Sequence, residues 1–325
     1  MTRGTTRILL GALLGVAGLW LSLRDIPAAT LREALLSARW GWAAAALAVS
    51  LIAVLAVVLR WRILLQPAIV SSSVLGRATL VGQMLNIVLP FRLGEVARVY
   101  TAMGHSSIGV ARLTASLAIE KALDLAIFGV TATVLVASAL LPRSSLAEGR
   151  WLLLPATTAV ALAAMWLVVR WRLLPRIASS IAARGGRAGK WIGHVVTDVA
   201  NGLDAWRSAG HAGSVLAWTV LIFVLAAAGN QLMLRAFDLR LPVSAGFAIL
   251  VVLQAGSVPP SLPGRLGIYN YLTVLTLGLY GVGRTEAATY SIALYFVAYV
   301  PKVVLGALVA ADPSWRPSMN WTPNA

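Results

Sequence analysis

The chain has 325 residues, of which 59% are hydrophobic and 12% charged, with a formal net charge of +16. A soluble domain is about 25% charged, so this much apolar surface cannot be hidden from water and lipid must act as the solvent. Cysteine is absent, which excludes disulfide scaffolds, thiolate metal sites and cysteine nucleophiles; the basic excess fits loops facing anionic lipid better than a nucleic-acid surface.

A crossing helix needs about 20 apolar residues. The first candidate, 8–23, lies between Arg7 and Arg24. Its basic start is that of a signal peptide, but no small-residue cleavage site is evident and Arg24 and Asp25 follow at once, so it reads as a retained helix. Residues 42–59 form a clear span. The stretch 74–89 is broken by Gly76, Arg77, Gly82 and Asn86 and runs into "LPFRLGE" at 89–95. Proline stops a helix and glycine permits a tight reversal, so this segment is expected to be a re-entrant hairpin returning over 94–103.

The next helix, 113–141, carries Glu120, Lys121 and Asp124 in its first half. Residues 151–169 form another span. The segment 170–213 is strongly basic, and its part 170–190 reads either as an amphipathic helix lying on anionic lipid or as a marker of the cytoplasmic side. A span at 214–234 follows. The stretch 243–262 contains Gly246, Gly256, Pro259 and Pro260 and leads into "LPGRLGI" at 262–268. This second hairpin would return over 267–282, an arm apolar for long enough that it could also cross fully. The last span, 285–310, contains Pro301 and Lys302.

The expected fold is therefore an all-α polytopic membrane protein. It has six full transmembrane helices and two re-entrant hairpins in one integral membrane domain over 1–325, with pseudo-repeats at about 42–141 and 214–310. With both termini in the cytoplasm, 16 basic residues fall in inside segments and 8 in outside loops, as the positive-inside rule requires. An odd number of spans separates the two LP-x-RLG phrases, so the hairpins would enter from opposite faces. Inverted repeats of this kind build substrate sites near the bilayer midplane from broken helices.

Candidate site residues follow from that plan. Arg92 and Arg265 each bring a planar, permanently charged fork suited to phosphate. The alternative is a structural turn whose arginine snorkels to a headgroup. Glu120 and Asp124, four apart, share a helical face, with Lys121 beside them. They form either a salt bridge that docks this helix onto Arg92 or Arg98, or a carboxylate that protonates during transport. Lys302 is either a lipid-phosphate contact or a residue near a helix end.

The runs "NIVLPFRLGEVARVY" and "GVARLTASLAIEKALDL" resemble the flippase-like transmembrane domain of bacterial lysyl-phosphatidylglycerol synthases, the multiple peptide resistance factors. The resemblance covers roughly 8–310 and is carried by Asn86, Leu89, Pro90, Arg92, Leu93, Gly94, Glu95, Glu120, Lys121 and Asp124. Pro263, Gly264, Arg265, Leu266 and Gly267 are similar to the family's later Pro-Gly-Gly-x-Gly-like element, although Arg265 stands where a small residue is common. The resemblance implies lipid translocation, and it adds Asn86 and Glu95 to the candidate cavity. Only "ADPSWRPSMNWTPNA" follows the last span, so the chain alone is not expected to make lysyl-phosphatidylglycerol.

No P-loop and no H-E-x-x-H occurs, and the three histidines have no i+4 partner, so neither ATPase nor metal chemistry is expected. The leading reading is a flippase for a phospholipid or polyprenyl-phosphate-type lipid with an anionic headgroup, needing no cofactor and binding no nucleic acid. A polytopic glycosyltransferase or other lipid-modifying enzyme, and a scaffold for a separate synthase, remain alternatives. A homo-oligomer is equally open.

Overall fold

The computed structural model describes residues 28–89, 93–106, 108–140, 209–256 and 267–312, together with Trp20 and Ser22. The expected span at 151–169, the 170–190 segment, Arg92, Arg265 and all of 8–23 but Trp20 and Ser22 lie outside the described residues. Regular structure among the described residues is entirely helical. The helices are α1 (Ala28–Leu36), α2 (Trp40–Leu64), α3 (Ser72–Val88), α4 (Gly94–Met103), α5 (Val110–Leu140), α6 (Ala209–Ala236), α7 (Val243–Gly256), α8 (Ile268–Leu279) and α9 (Arg284–Ala311).

Three of these are long and apolar enough to cross a membrane: Trp40–Leu64, Ala212–Ala236 and Arg284–Ala311, with mean hydropathies of 2.6, 2.1 and 2.0. The protein is thus a membrane protein with transmembrane helices. Helix α5 is longer, at 31 residues, but holds Arg112, Glu120, Lys121 and Asp124 in its first half. Two boundaries differ from expectation. Residues 24–41, between the expected spans 8–23 and 42–59, contain α1. Helix α2 continues past Leu59 to Leu64, because "RWRILL" keeps Trp61, Leu64 and Leu65 buried while its charges find partners. Arg60, just beyond the expected span at 42–59, is therefore a buried helical residue.

The chain divides into two compact units. The described residues of the first are Trp20, Ser22, 28–55, 80–89, 93–95, 222–256 and 267–312. Its core gathers Ala43 and Ala46 of α2, Met233 and Leu234 of α6, Ile249 of α7, Leu277 of α8 and Tyr290 and Leu294 of α9. At one end of this unit the Arg39 N–H donates to the Ala236 carbonyl at 2.8 Å, and Arg39 pairs with Asp238 at 3.8 Å. The described residues of the second unit are 56–79, 96–106, 108–140 and 209–221. Its core gathers Val58, Trp61, Leu65, Leu75, Ala78, Val99, Ala102, Leu113 and Leu117.

Both LP-x-RLG phrases connect helices that fold back on each other. At the first, Gly94 stands against α3 so closely that a β-carbon would meet the Gly82 carbonyl and the Asn86 side chain. The partners at the far ends of α3 and α4 are Leu75 and Ala78 with Val99 and Ala102, the pairing of an antiparallel hairpin. At the second, Gly256 at the end of α7 faces Leu272 and Ile268 at the start of α8. The other ends meet where the Tyr280 hydroxyl donates to Ser244 Oγ at 3.5 Å. Helices α7 and α8 have 14 and 12 residues, or ~21 and ~18 Å at 1.5 Å per residue.

Candidate functional site

The glycine that closes each phrase opens a helix, and in both cases an asparagine takes its N–H. Gly94 N–H donates to Asn86 Oδ1 at 2.9 Å, and Asn86 Nδ2 donates to Glu95 Oε1 at 3.2 Å. The first N–H groups of a helix have no intrahelical acceptor, and here a carboxamide from the preceding helix supplies one. Gly267 N–H donates to Asn270 Oδ1 at 3.3 Å, and Asn270 Nδ2 donates to Ser291 Oγ at 3.0 Å on α9. Gly267 has φ of +88°, a conformation costly for any residue with a β-carbon. The repeated glycine thus has two causes, close approach at 94 and backbone conformation at 267. Asn86 and Glu95, named as candidate cavity residues, form a latch across the first turn.

In the second unit the ionisable residues form one network. Arg60 Nη1 donates to Asp124 Oδ1 at 2.6 Å and to Thr219 Oγ1 at 3.2 Å, and its Nη2 lies 3.4 Å from Glu120 Oε1. Arg98 takes Glu120 with both prongs, Nη1 to Oε1 at 2.8 Å and Nη2 to Oε2 at 3.3 Å. Lys121 Nζ lies 3.6 Å from Glu120 Oε1. The Arg98 guanidinium also sits 4.2 Å from the centre of the Trp61 ring, and Trp61 Nε1 donates to Ser116 Oγ at 2.9 Å. Arg60, Arg98 and Glu120 are almost fully buried, whereas the Asp124 side chain is 26% exposed.

This geometry explains why four charges tolerate burial: each has an opposite partner within hydrogen-bonding or ion-pair range. Glu120 and Asp124 share a face, as their spacing demands, and that face meets Arg60. Of the docking partners expected from sequence, Arg98 is in place and Arg92 lies outside the described residues; Arg60 was missed. The available signal was its place one residue before a tryptophan inside an apolar run that continues to Leu65. With both Glu120 oxygens engaged, the arrangement joins α2, α4, α5 and α6. Among the described residues no group of three or more His, Cys, Asp or Glu is placed to hold a metal ion.

The first unit holds a cavity of about 290 Å³. Among the described residues five helices line it: α2 with Ala46, Ser50 and Ala53, α6 around Gly229 and Asn230, α7 with Gln254, α8 with Tyr269, and α9 from Leu294 to Lys302. Small residues keep the space open, and aromatic rings wall one side. Tyr295 and Tyr299 stack at 4.8 Å, and Tyr269 meets them edge-on at 5.5 and 5.3 Å. Asn230 Nδ2 donates to the Gly246 carbonyl at 3.0 Å, and the Tyr290 hydroxyl donates to the Asn230 carbonyl at 3.0 Å. These bonds pin α6 to α7 and α9 and fix the wall. Lys302 is half-buried at the cavity.

Of the candidate residues, Glu120, Lys121 and Asp124 come together in the second unit. Asn86 and Glu95 pair at the first turn, and Lys302 lines the cavity of the first unit. Sequence reasoning did not single out Asn230, Gln254, Tyr269 or Tyr299, because polar and aromatic residues within apolar runs carry no spacing signal of their own.

Comparison with curated proteins finds no match. The helical hairpin at "LPFRLGE" and the Glu-Lys…Asp charges of α5 nevertheless fall within a stretch, residues 8–306, that matches the family described as lysylphosphatidylglycerol synthase TM region, and this chain belongs to that family.

Proposed function

We propose that this protein is a lipid translocator, moving a lipid with an anionic, phosphate-bearing headgroup across a bacterial inner membrane. The observation that carries the reading is the cavity of the first unit, where Lys302 faces a mixed lining of small, aromatic and amide side chains within membrane-crossing helices. Family membership supports it, since the matching region is the membrane part of lipid synthases. At about 290 Å³ the cavity is at the small end of ligand sites, ~300–1,000 Å³, the size for a headgroup and not for acyl chains, which stay in the bilayer.

The two helical hairpins support the finer topology, six crossings plus two re-entrant hairpins in an inverted repeat with both termini cytoplasmic. Arg92 and Arg265, on the two hairpin connections, are proposed as further headgroup contacts. On this reading the protein performs no covalent chemistry. The ion network of the second unit holds helices in place, and the lipid is the partner that matters.

The test is direct. Purified protein reconstituted into liposomes should accelerate movement of a fluorescent phosphatidylglycerol between leaflets, read by chemical quenching of the outer leaflet, with no soluble enzyme present. Movement no faster than in protein-free liposomes refutes the proposal.

A further inference from the structure

We propose that the seam between α3 and the second half of α9 is the door by which a headgroup reaches the cavity of the first unit, with its hinge at Pro301. The inference rests on reading this cavity as the headgroup site. The residues concerned all belong to that unit.

The door follows from one row of residues on α9. Leu294, Ala298 and Lys302 line the cavity and stand four apart, so they share a helical face. The next residue of that row is Gly306, which is buried. A β-carbon there would lie 2.5 Å from Met84 Cβ and 2.7 Å from the Leu80 carbonyl oxygen, both of α3. The face of α9 that walls the cavity thus runs directly into a seat on α3, about one helical turn beyond Lys302. Helix α3 stands at that end of the cavity.

Helix α9 changes character at Pro301. Between Ala287 and Tyr295 most residues are buried. There Ser291 Oγ accepts from Asn270, and the Tyr290 hydroxyl donates to the Asn230 carbonyl. From Pro301 to Ala311 the one buried residue is Gly306. Pro301 has no N–H to give to the Val297 carbonyl, and its ring crowds that carbonyl. Val297 itself lines the cavity. A firmly packed half is therefore joined to a loosely packed one by a turn that lacks a hydrogen bond, a recurrent site of helix bending. Rotation there carries Lys302 with the moving half. Tyr295 and Tyr299, stacked at 4.8 Å, stay with the fixed wall.

The seat on α3 is imperfectly satisfied. Gln83, the residue before Met84, has its Oε1 buried with no hydrogen-bond partner among the described residues. A buried acceptor without a donor raises the energy of the shut form. Water or a headgroup hydroxyl supplies the donor once the seam parts. Shut and open forms are thereby brought close in energy, and a ligand can then shift their populations.

The experiment measures the motion separately from transport. The chain has no cysteine, so spin labels attach only where one is introduced. Full-length protein in lipid nanodiscs is labelled at Val88→Cys with Leu308→Cys, exposed positions on α3 and on the second half of α9. A reference pair, Leu279→Cys with Phe296→Cys, joins exposed positions on α8 and on the first half of α9. Double electron–electron resonance should give two separations for the first pair and one for the reference. Gly306→Ala, which fills the seat, should raise the open-to-shut ratio about tenfold. Gln83→Leu, which removes the unpartnered acceptor, should lower it by about as much. Pro301→Ala, which restores the hydrogen bond to Val297, should leave one separation. If Gly306→Ala does not fold, the other two variants decide. One separation for the first pair in the wild type and in every folded variant, or the same two in unchanged ratio throughout, overturns the door. In liposomes Pro301→Ala should slow the movement of fluorescent phosphatidylglycerol about tenfold, as expected when a gating step limits the rate. Movement at the wild-type rate with a single separation refutes the seam as the route and leaves translocation standing. Two separations with no movement by the wild type refute translocation and leave the hinge.

Discussion

Replacing Glu120 by glutamine keeps the shape of the side chain and removes one charge, so it isolates what the network of the second unit contributes. The carboxylate holds Arg98 at 2.8 and 3.3 Å, Arg60 at 3.4 Å and Lys121 at 3.6 Å. After Glu120→Gln, Arg60 keeps Asp124 while Arg98 and Lys121 lose the carboxylate they share, and the new amide brings a donor toward guanidinium groups that are donors themselves. Removing one partner of a buried pair costs ~3–5 kcal/mol, a large share of the ~5–15 kcal/mol by which domains are stable. Asp124→Asn should cost less, ~1.5–3 kcal/mol, the scale of a hydrogen bond to a charged group, because Asp124 is partly exposed and Arg60 keeps Glu120 and Thr219. Thermal unfolding of a fluorescent fusion in one detergent reads both. Glu120→Gln should lower the midpoint by on the order of 10 °C and Asp124→Asn by about half that or less. A double variant, Glu120→Leu with Arg98→Met, should regain part of the loss, since a buried pair replaced by apolar groups is often neutral. Equal melting of Glu120→Gln and wild type, or Asp124→Asn melting below Glu120→Gln, refutes the assignment of Glu120 as the hub.

Lys302→Met should raise the unfolding midpoint, because a charge at mid-bilayer costs ~2.5–3.5 kcal/mol, while movement of phosphatidylglycerol in liposomes falls; a variant that loses both stability and transport contradicts the reading. Gly94→Ala should reduce the yield of folded protein, since a β-carbon there meets the Gly82 carbonyl and the Asn86 side chain, and normal yield with an unchanged melting curve counts against the close approach. Arg92→Ala should nearly abolish transport and Arg92→Lys weaken it, with folding retained in both, since lysine keeps the charge but loses the two-pronged geometry; full activity of Arg92→Ala ends its role as a headgroup contact. Reporter fusions at both termini should face the cytoplasm and one within 142–150 the periplasm, and termini on opposite faces remove the inverted-repeat plan.

Hydropathy is additive along the chain, which is why the long helices were legible. The spans read at 42–59, 113–141, 214–234 and 285–310 are helices over Trp40–Leu64, Val110–Leu140, Ala209–Ala236 and Arg284–Ala311. The errors sit where a charge falls inside a helix. Arg60 marked an apparent end because its cost was counted without Asp124, 64 positions away, which removes it. Helix α1 was hidden because Arg32 and Glu33 interrupt its apolar content. The shared face of Glu120 and Asp124 followed from spacing alone, but its partners depend on how helices distant in sequence pack. The cavity was the least legible feature. Lys302 stood out as a charge in an apolar run, while Asn230, Gln254 and Tyr269 acquire meaning only once five helices bring them together.

If the protein translocates lipid as proposed and α7 and α8 form a re-entrant hairpin, their brevity bears on the electrical work of moving a headgroup. At ~21 and ~18 Å they fall ~9–12 Å short of a hydrocarbon layer ~30 Å thick. A short element is accommodated by local thinning of the bilayer or by polar surroundings at its tip. Either one thins the low-dielectric barrier beside the hairpin. A charged group passing there is stripped of water over a shorter path than in pure lipid, and the solvation energy it must surrender falls accordingly. Hairpin length thereby becomes a determinant of rate: lengthening α7 and α8 by one turn each would deepen the dry layer by ~5 Å and slow passage even with every side chain of the cavity unchanged.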